Sequence, residues 1–473
     1  MKKTLPLLTL LLSFTACTLH DPYCRPDISM PNNWRFSTES QVALNTDQWW
    51  KEFKDPVLDQ FVNQALEKNP DLLAAMSTVD AFAAQLQVVR SQLFPQVNAN
   101  VGVGREKVSA ETTALLPGVN RTSNVFNLYG NFSYFLDFWG QVRSSVENAQ
   151  AQLFAQEEIR KNVVLTLVTA VSTTYISLRQ YDEMLRIATD TLVSREQSYN
   201  LALLRFELGL TSEMPVMQSL AELDFTNSQK NEVILAIGQL EDLLSILIGD
   251  APKDISRGSS LGKLAHIPNV PAGLPSNLLN QRPDIRAAEQ RLIAANANIG
   301  VAKAAFFPQI TLTGLLGQST TSLTNIFTGL ANTYQYGANI IQEIFTGGYL
   351  SGNLKLTRAQ KEVAVHQYQS TILNAFKEVN DALIGHQVAL EQIKVLRNRV
   401  EALNQYYTLA ELQYTEGEVD YLNVLDAERQ LFEAQLNYIE AYAQGFLSVI
   451  DIYKALGGSW VDAADQEALN LAD

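Results

Sequence analysis

From Gln141 to Leu208 the chain runs 68 residues without a glycine or a proline. At 1.5 Å per residue an unbroken helix of that length reaches about 100 Å, too long for the wall of a compact domain. Gly209 ends the run. A second run, Asn353 to Glu416, holds only Gly385 and ends at Gly417. Val164, Val168, Val171 and Tyr175 in the first run stand 208 residues before Ile372, Phe376, Val379 and Leu383 in the second. Spacings of three and four make a narrow apolar seam of the coiled-coil kind. Return segments reach Gly249 and Gly457. Each run therefore predicts one arm of a long antiparallel helical hairpin, turned at its glycine.

The hairpins belong to an internal duplication. Asn69-Pro70-Asp71-Leu72 recurs as Arg282-Pro283-Asp284-Ile285, and Leu93-Phe94-Pro95-Gln96-Val97 recurs as Phe306-Phe307-Pro308-Gln309-Ile310, both 213 residues on. Gly209 and Gly249 find their counterparts at 208 residues, in Gly417 and Gly457. One change of offset means two homologous halves separated by a single net insertion. The period is far longer than any solenoid unit.

Between the first helical segment of each half, expected over Phe61–Gln92 in the first, and its long hairpin lie two stretches of period-two alternation. Val97, Ala99, Val101 and Val103 alternate with Asn98, Asn100, Gly102 and Gly104. Phe126, Leu128, Gly130, Phe132, Tyr134 and Leu136 alternate with Asn127, Asn131 and Ser133. The second half repeats this with Ile310, Leu312, Gly314 and Leu316, then Tyr334, Tyr336, Ala338 and Ile340. An apolar face opposite a polar one over about ten residues is the pattern of a membrane barrel strand. The same pattern also suits a sheet packed on a soluble core. Phe135, Phe138 and Trp139 would supply an interfacial girdle in the membrane reading. Four strands are too few to close a barrel, and an open sheet in lipid leaves backbone groups unsatisfied. Copies of the chain must complete it, and two, three or four would give eight, twelve or sixteen strands.

The N-terminus reads as an export signal. Lys2 and Lys3 precede the apolar run Leu5–Leu12, which is too short to span a bilayer. Ser13-Phe14-Thr15-Ala16-Cys17 then resembles a bacterial lipobox, with Phe14 where leucine is usual. This predicts cleavage before Cys17 and lipidation of that residue, against the plainer reading of a secretory signal beside a cysteine. A Cys17–Cys24 disulfide is a further option in an oxidising compartment. Elsewhere no run of 18 apolar residues suggests a transmembrane helix.

Composition removes most chemistry. Acidic residues outnumber basic ones 50 to 35, the wrong balance for a nucleic-acid binder. Two cysteines and four histidines give neither a disulfide framework nor a zinc cluster. No phosphate-binding loop occurs, and Gly102-x-Gly104 lies inside a strand rather than at a strand–helix turn. No enzyme, metal or cofactor is expected beyond a covalent lipid on Cys17.

Trp49-Trp50-Lys51-Glu52-Phe53-Lys54-Asp55-Pro56-Val57-Leu58 resembles the opening of outer-membrane efflux lipoproteins of the TolC/OprM type. The paired Pro-Asp and Phe-Pro-Gln sites resemble the same family, as does Tyr414-x-x-Gly417 followed by Val424-Leu425-Asp426-Ala427. The likeness covers Cys17 to Gly457. It implies a mainly α fold with a small β part, in which three chains share a twelve-stranded transmembrane barrel and a twelve-helix periplasmic tunnel. It implies a homotrimer that meets outer-membrane lipid, a periplasmic adaptor and an inner-membrane pump. The organisation expected is a signal peptide (1–16), a lipid-anchored segment (17–60), repeats at 61–250 and 274–457 joined by a linker (251–273), and a tail (458–473).

In that family acidic side chains ring a closed periplasmic constriction. The matching residue is Asp426, and Leu422 lies one helical turn earlier, on the same side. Asn423 stands where some members carry a second acid, and Val419 where some carry arginine; Asp420 is a compensating charge or a helix-end residue. The turns at Gly209 and Gly417 become the adaptor contact. Three functions follow: a conduit for small-molecule efflux, an exit duct for type I protein secretion, and a soluble periplasmic coiled-coil scaffold.

Overall fold

The computed structural model describes residues 19–28, 33–36, 48–109, 111, 120–264, 267–268 and 278–472. The signal peptide, the lipobox and Cys17 lie outside them; Cys24 is a free, exposed thiol. A 3₁₀ turn, Trp49–Phe53, leads to α1 (Pro56–Lys68), α2 (Pro70–Ser91), β1 (Gln96–Lys107), β2 (Thr122–Leu136), α3 (Gln141–Glu207) and α4 (Met214–Leu247). The second repeat gives α5 (Leu278–Gln281), α6 (Pro283–Ala304), β3 (Gln309–Thr320), β4 (Asn332–Ile341), α7 (Tyr349–Thr415) and α8 (Tyr421–Leu456), followed by α9 (Ser459–Ala472). The two long helices, α3 and α7, are each 67 residues.

The chain forms two compact units, each drawn from both repeats. One comprises residues up to Asp27, Val79–Gln156 and Ala288–Tyr368; the other comprises Ile28–Thr78, Glu157–Ala287 and Gln369 onward.

In the second unit the repeated motifs prove to be structural pins. The helix expected over Phe61–Gln92 breaks at Asn69, because Pro70 has no N–H to continue it. The Asn69 carboxamide oxygen accepts from the amides of Asp71 and Leu72, both at 3.0 Å, so Asn69 caps α2. Its Nδ2 donates to the Leu247 carbonyl at 3.0 Å. In the second repeat Arg282 takes this place and donates to the Ala455 carbonyl at 2.7 Å. Leu247 and Ala455 are repeat equivalents, so two different side chains serve one contact. Gly249 (φ +80°) and Gly457 (φ +63°) end the return helices against it, and a Cβ there would lie 2.5 Å from the Lys68 carbonyl oxygen or 2.9 Å from that of Gln281. Positive φ and contact with backbone both oppose a side chain. Gly249→Ala is expected to cost about 2 kcal/mol, read as a lowered melting temperature; unchanged melting would show that Lys68 can yield.

The Trp49-Trp50-x-x-Phe53 motif is core. Trp49 stacks on Tyr453 at 4.9 Å and meets Trp460 edge-on at 5.9 Å, while Phe53 meets Phe446 at 5.6 Å. Asp55, fully buried, caps α1 through the Val57 amide (2.9 Å) and accepts from the Tyr175 hydroxyl (2.7 Å) and the Ser259 amide (3.2 Å). It thus ties the start of the first repeat to α3 and to the linker. The seam residues from Val164 to Tyr175 and from Ile372 to Leu383 are all buried. Residues expected as a tail instead form α9, held by a two-bond pair between Arg160 and Asp465 (2.9 and 2.8 Å).

The first unit carries one antiparallel sheet in the order β1-β2-β3-β4. Its register places the apolar sets opposite one another: Val97 faces Phe132, Val101 faces Leu128, Gly130 faces Leu316, and Ile310 faces Ile340. The reverse face pairs Asn98 with Asn131, Asn127 with Ser319, and Thr311 with Asn339. Hydrogen bonds run across it from Asn131 to Asn98 (3.0 Å) and from Ser319 to Asn127 (2.8 Å). The apolar face is exposed, Val97 at 75% and Tyr336 at 83%. A soluble core would cover such a face; a bilayer suits it as it stands. At the hairpin end the same face changes to Arg105 and Lys107.

One expectation needs correction. Phe135 pairs with Thr311 on the polar face, so it does not join an outer girdle with the apolar set, while Trp139 stacks on Phe307 within the chain. Residue parity decides this, since Phe135 falls between Tyr134 and Leu136 of the apolar set. By length and composition alone α2 would also pass for a membrane span, a test that helices of soluble proteins meet as well, so it does not alter the reading that the membrane part is the sheet. Ser77, Thr78, Asp80, Gln85 and Gln87 interrupt its apolar run.

Candidate gate and hairpin tips

Both glycine turns close in the same way. Gly209 (φ +71°) and Gly417 (φ +81°) occupy left-handed backbone. The amide after each bonds five residues back, Leu210 to the Arg205 carbonyl at 2.9 Å and Glu418 to the Gln413 carbonyl at 2.8 Å. This is the Schellman closure, which satisfies carbonyls left over at a helix end. The two tips differ in chemistry. The first exposes Leu208 (64%), Leu210 (72%) and Met214 (65%). The second presents Glu416, Glu418 and Asp420 around its glycine. Asp420 holds the N-cap position of α8 without a side-chain bond, and its charge favours that helix end. Arg205 on α3 meets the ring and hydroxyl of Tyr414 on α7, which joins one hairpin to the other.

Above the second tip, α8 divides into two faces. Val424, Ala427, Glu428 and Leu431 are buried, while Leu422, Asn423 and Arg429 are exposed. Asp426 belongs with the open set: its side chain is 40% exposed, accepts from Gln430 Nε2 at 2.7 Å and lies 3.8 Å from the Arg429 guanidinium. Leu422, 59% exposed, sits one turn before it. The structure thus brings the two residues to one helix face and adds Arg429, at i,i+3 spacing from Asp426.

The cluster that sequence reading missed lies just inside. Arg195 of α3, 2% exposed, donates to the Glu222 carbonyl (2.8 Å) and to Thr226 Oγ1 (2.5 Å) and pairs with the Glu222 carboxylate (2.9 Å) on α4. Its guanidinium carbon lies 5.4 Å from the centre of the Phe432 ring, and its Nε is 4.0 Å from Glu428 of α8. Burial pushes the Glu428 carboxyl above the ordinary range, with Arg195 opposing that shift. Nothing in the spacing of a helical arginine tells a buried one from a solvated one.

Residues 61–249 and 274–458 match the sequence model of the outer membrane efflux protein family. The chain belongs to that family. It is 34% identical over 458 residues to the toluene efflux pump outer membrane protein TtgC of Pseudomonas putida, covering 95% of this chain and 94% of that relative. It is 33% identical over 469 residues to a protein described as "Probable outer membrane lipoprotein SilC" of Salmonella typhimurium, covering 97% and 99%. Among solved structures it is similar to the CmeC outer membrane channel of Campylobacter jejuni (TM-score 0.90, 26% identity, 96% and 99% covered). It also resembles the open MtrE channel of Neisseria gonorrhoeae (TM-score 0.85, 30% identity, 94% and 99% covered). The protein is therefore an outer-membrane efflux channel component and not an enzyme, and its two halves are two copies of the family's repeat.

Proposed function

We propose that three copies of this efflux protein form one channel, with four strands from each completing a twelve-stranded barrel and the hairpins completing a twelve-helix periplasmic tunnel. The observation that carries this reading is the four-stranded sheet whose outer strands, β1 and β4, have no further strand partner among the described residues while one face is apolar and exposed. Lipid tolerates no open edge. Cys17 carries the lipid anchor. The tips at Gly209 and Gly417 receive a periplasmic adaptor, and an inner-membrane pump drives small molecules through the passive duct. Relatives named for efflux pumps support small molecules over proteins as cargo.

At the periplasmic end, Leu422 and Asp426 of three copies ring the axis as an apolar and an acidic constriction. The assembly is tested by extraction from outer membranes: high salt is expected to leave the protein behind and detergent to release a trimer. Release by salt as a monomer would overturn the barrel. Cys17→Ser is expected to abolish incorporation of labelled palmitate, and retained label would remove Cys17 as the anchor.

A further inference from the structure

The sheet unit shows how one strand seam is finished below the sheet and leaves the other seam unfinished. Where β2 meets β3, Leu136 lies opposite Ile310. Just past β2, Trp139 stacks on Phe307, just before β3, with ring centres 4.8 Å apart and planes 25° apart. Its Nε1 donates to the Pro308 carbonyl at 2.8 Å. Phe307 and Pro308 are the repeat equivalents of Phe94 and Pro95, 213 residues earlier. Phe94 precedes β1, an edge strand, and among the described residues no such ring stacks on it: it is 65% exposed, against 38% for Phe307. It walls an open cavity of about 520 Å³ lined also by Val88, Ser91 and Phe135.

At the other edge Gly347 stands 208 residues after Trp139, but the same segment carries an exposed ring two residues earlier. The segment from Gln342 to Gly348, between β4 and α7, stands where Asp137 to Gly140 stand in the first half. It exposes Ile344 (95%) and Phe345 (88%). If β4 pairs antiparallel with β1 of another copy, the end of β4 at Ile341 falls beside the start of β1 at Gln96, as Ile341 already falls opposite Gln309 within the chain. Residues just past Ile341 then meet residues just before Gln96.

We infer that Phe345, with Ile344 beside it, packs on Phe94 of the next copy and repeats between chains the ring contact that Trp139 and Phe307 make within one. The occupant of the Phe94 surface is thus a second copy of this chain. The contact rests on the trimeric reading above. It removes two exposed rings from water at the strand base and marks which edges belong together, because only the β4-to-β1 junction brings an unpaired donor segment to an unpaired acceptor ring.

The test is cross-linking in outer membranes with the full chain carrying Cys24→Ser. Phe94→Cys combined with Phe345→Cys, treated with a short thiol-to-thiol cross-linker, is expected to give covalent dimers and trimers that each single variant lacks. Gln96→Cys combined with Ile341→Cys reports edge pairing independently. If that edge pair cross-links and the Phe94/Phe345 pair does not, the inference is wrong and the trimer stands, with both rings facing lipid instead. If neither pair cross-links, edge pairing fails and the trimeric reading falls with it. As a second measurement, Phe94→Leu and Phe345→Leu are expected each to lower the trimer's dissociation temperature, with a double variant lowered by less than the sum. Full additivity would overturn the contact.

Discussion

Arg195→Ala is expected to give one of the largest stability losses of any single change in the helical unit, on the order of 3 kcal/mol. The side chain is 2% exposed and joins three helices, reaching from α3 to Glu222 and Thr226 on α4 and to Glu428 and Phe432 on α8. Removing it leaves two carboxylates near one another without the cation between them. Glu428→Gln is expected to behave in the opposite sense. Burial raises the Glu428 carboxyl above its ordinary range. The folded state therefore holds its proton to higher pH than the unfolded state does. Stability from this group is greatest below the ordinary glutamate range and is lost as pH rises through the raised folded value. The amide escapes that loss. Apparent melting of the detergent-solubilised protein should show Arg195→Ala well below the parent at neutral pH. Glu428→Gln should match or exceed the parent there and lose that advantage on acidification. Parent-like melting of Arg195→Ala would mean that Glu222 and Glu428 find other partners.

Asp426→Ala is expected to raise single-channel conductance or lower cation preference in planar bilayers. A ring of carboxylates favours cations and resists anions. A unit charge at about 4 Å in a water-like dielectric is worth about 1 kcal/mol, so the cation-to-anion permeability ratio should fall by about fivefold or more. Arg429 sharpens the prediction. Its guanidinium lies 3.8 Å from Asp426 on the same exposed face and offsets part of that charge. Arg429→Ala should therefore shift selectivity the other way, toward cations. If Asp426→Ala leaves conductance and selectivity unchanged, the carboxylate is a solvated helix-face acid and the gate lies elsewhere.

Much of the architecture was legible in the chain because it is written in period and punctuation. Long runs without proline and with at most one glycine, closed by Gly209 and Gly417, delimit the hairpins, since backbone sterics allow few ways to end a helix. Alternation at Val97–Val103 and Ile310–Leu316 assigns each strand's two faces, because side chains on a strand must alternate. The candidate gate was legible only in part. Asp426 and Leu422 follow from family likeness and a four-residue spacing, but Arg195 and Glu428 look like any other polar residues of a long helix until burial is known.

The chain alone determined the duplication, the strand faces and the hairpin ends, because these depend on neighbours a few residues away or on a repeat offset. Tertiary structure decided which residues those features press together. It showed that Asn69 and Arg282 serve one contact, that the aromatics of the Trp49–Asp55 motif are buried core, that Trp139 stacks on Phe307, and that α9 is a packed helix. Such pairings join residues far apart in sequence, and their energies depend on burial and distance, which no local pattern records.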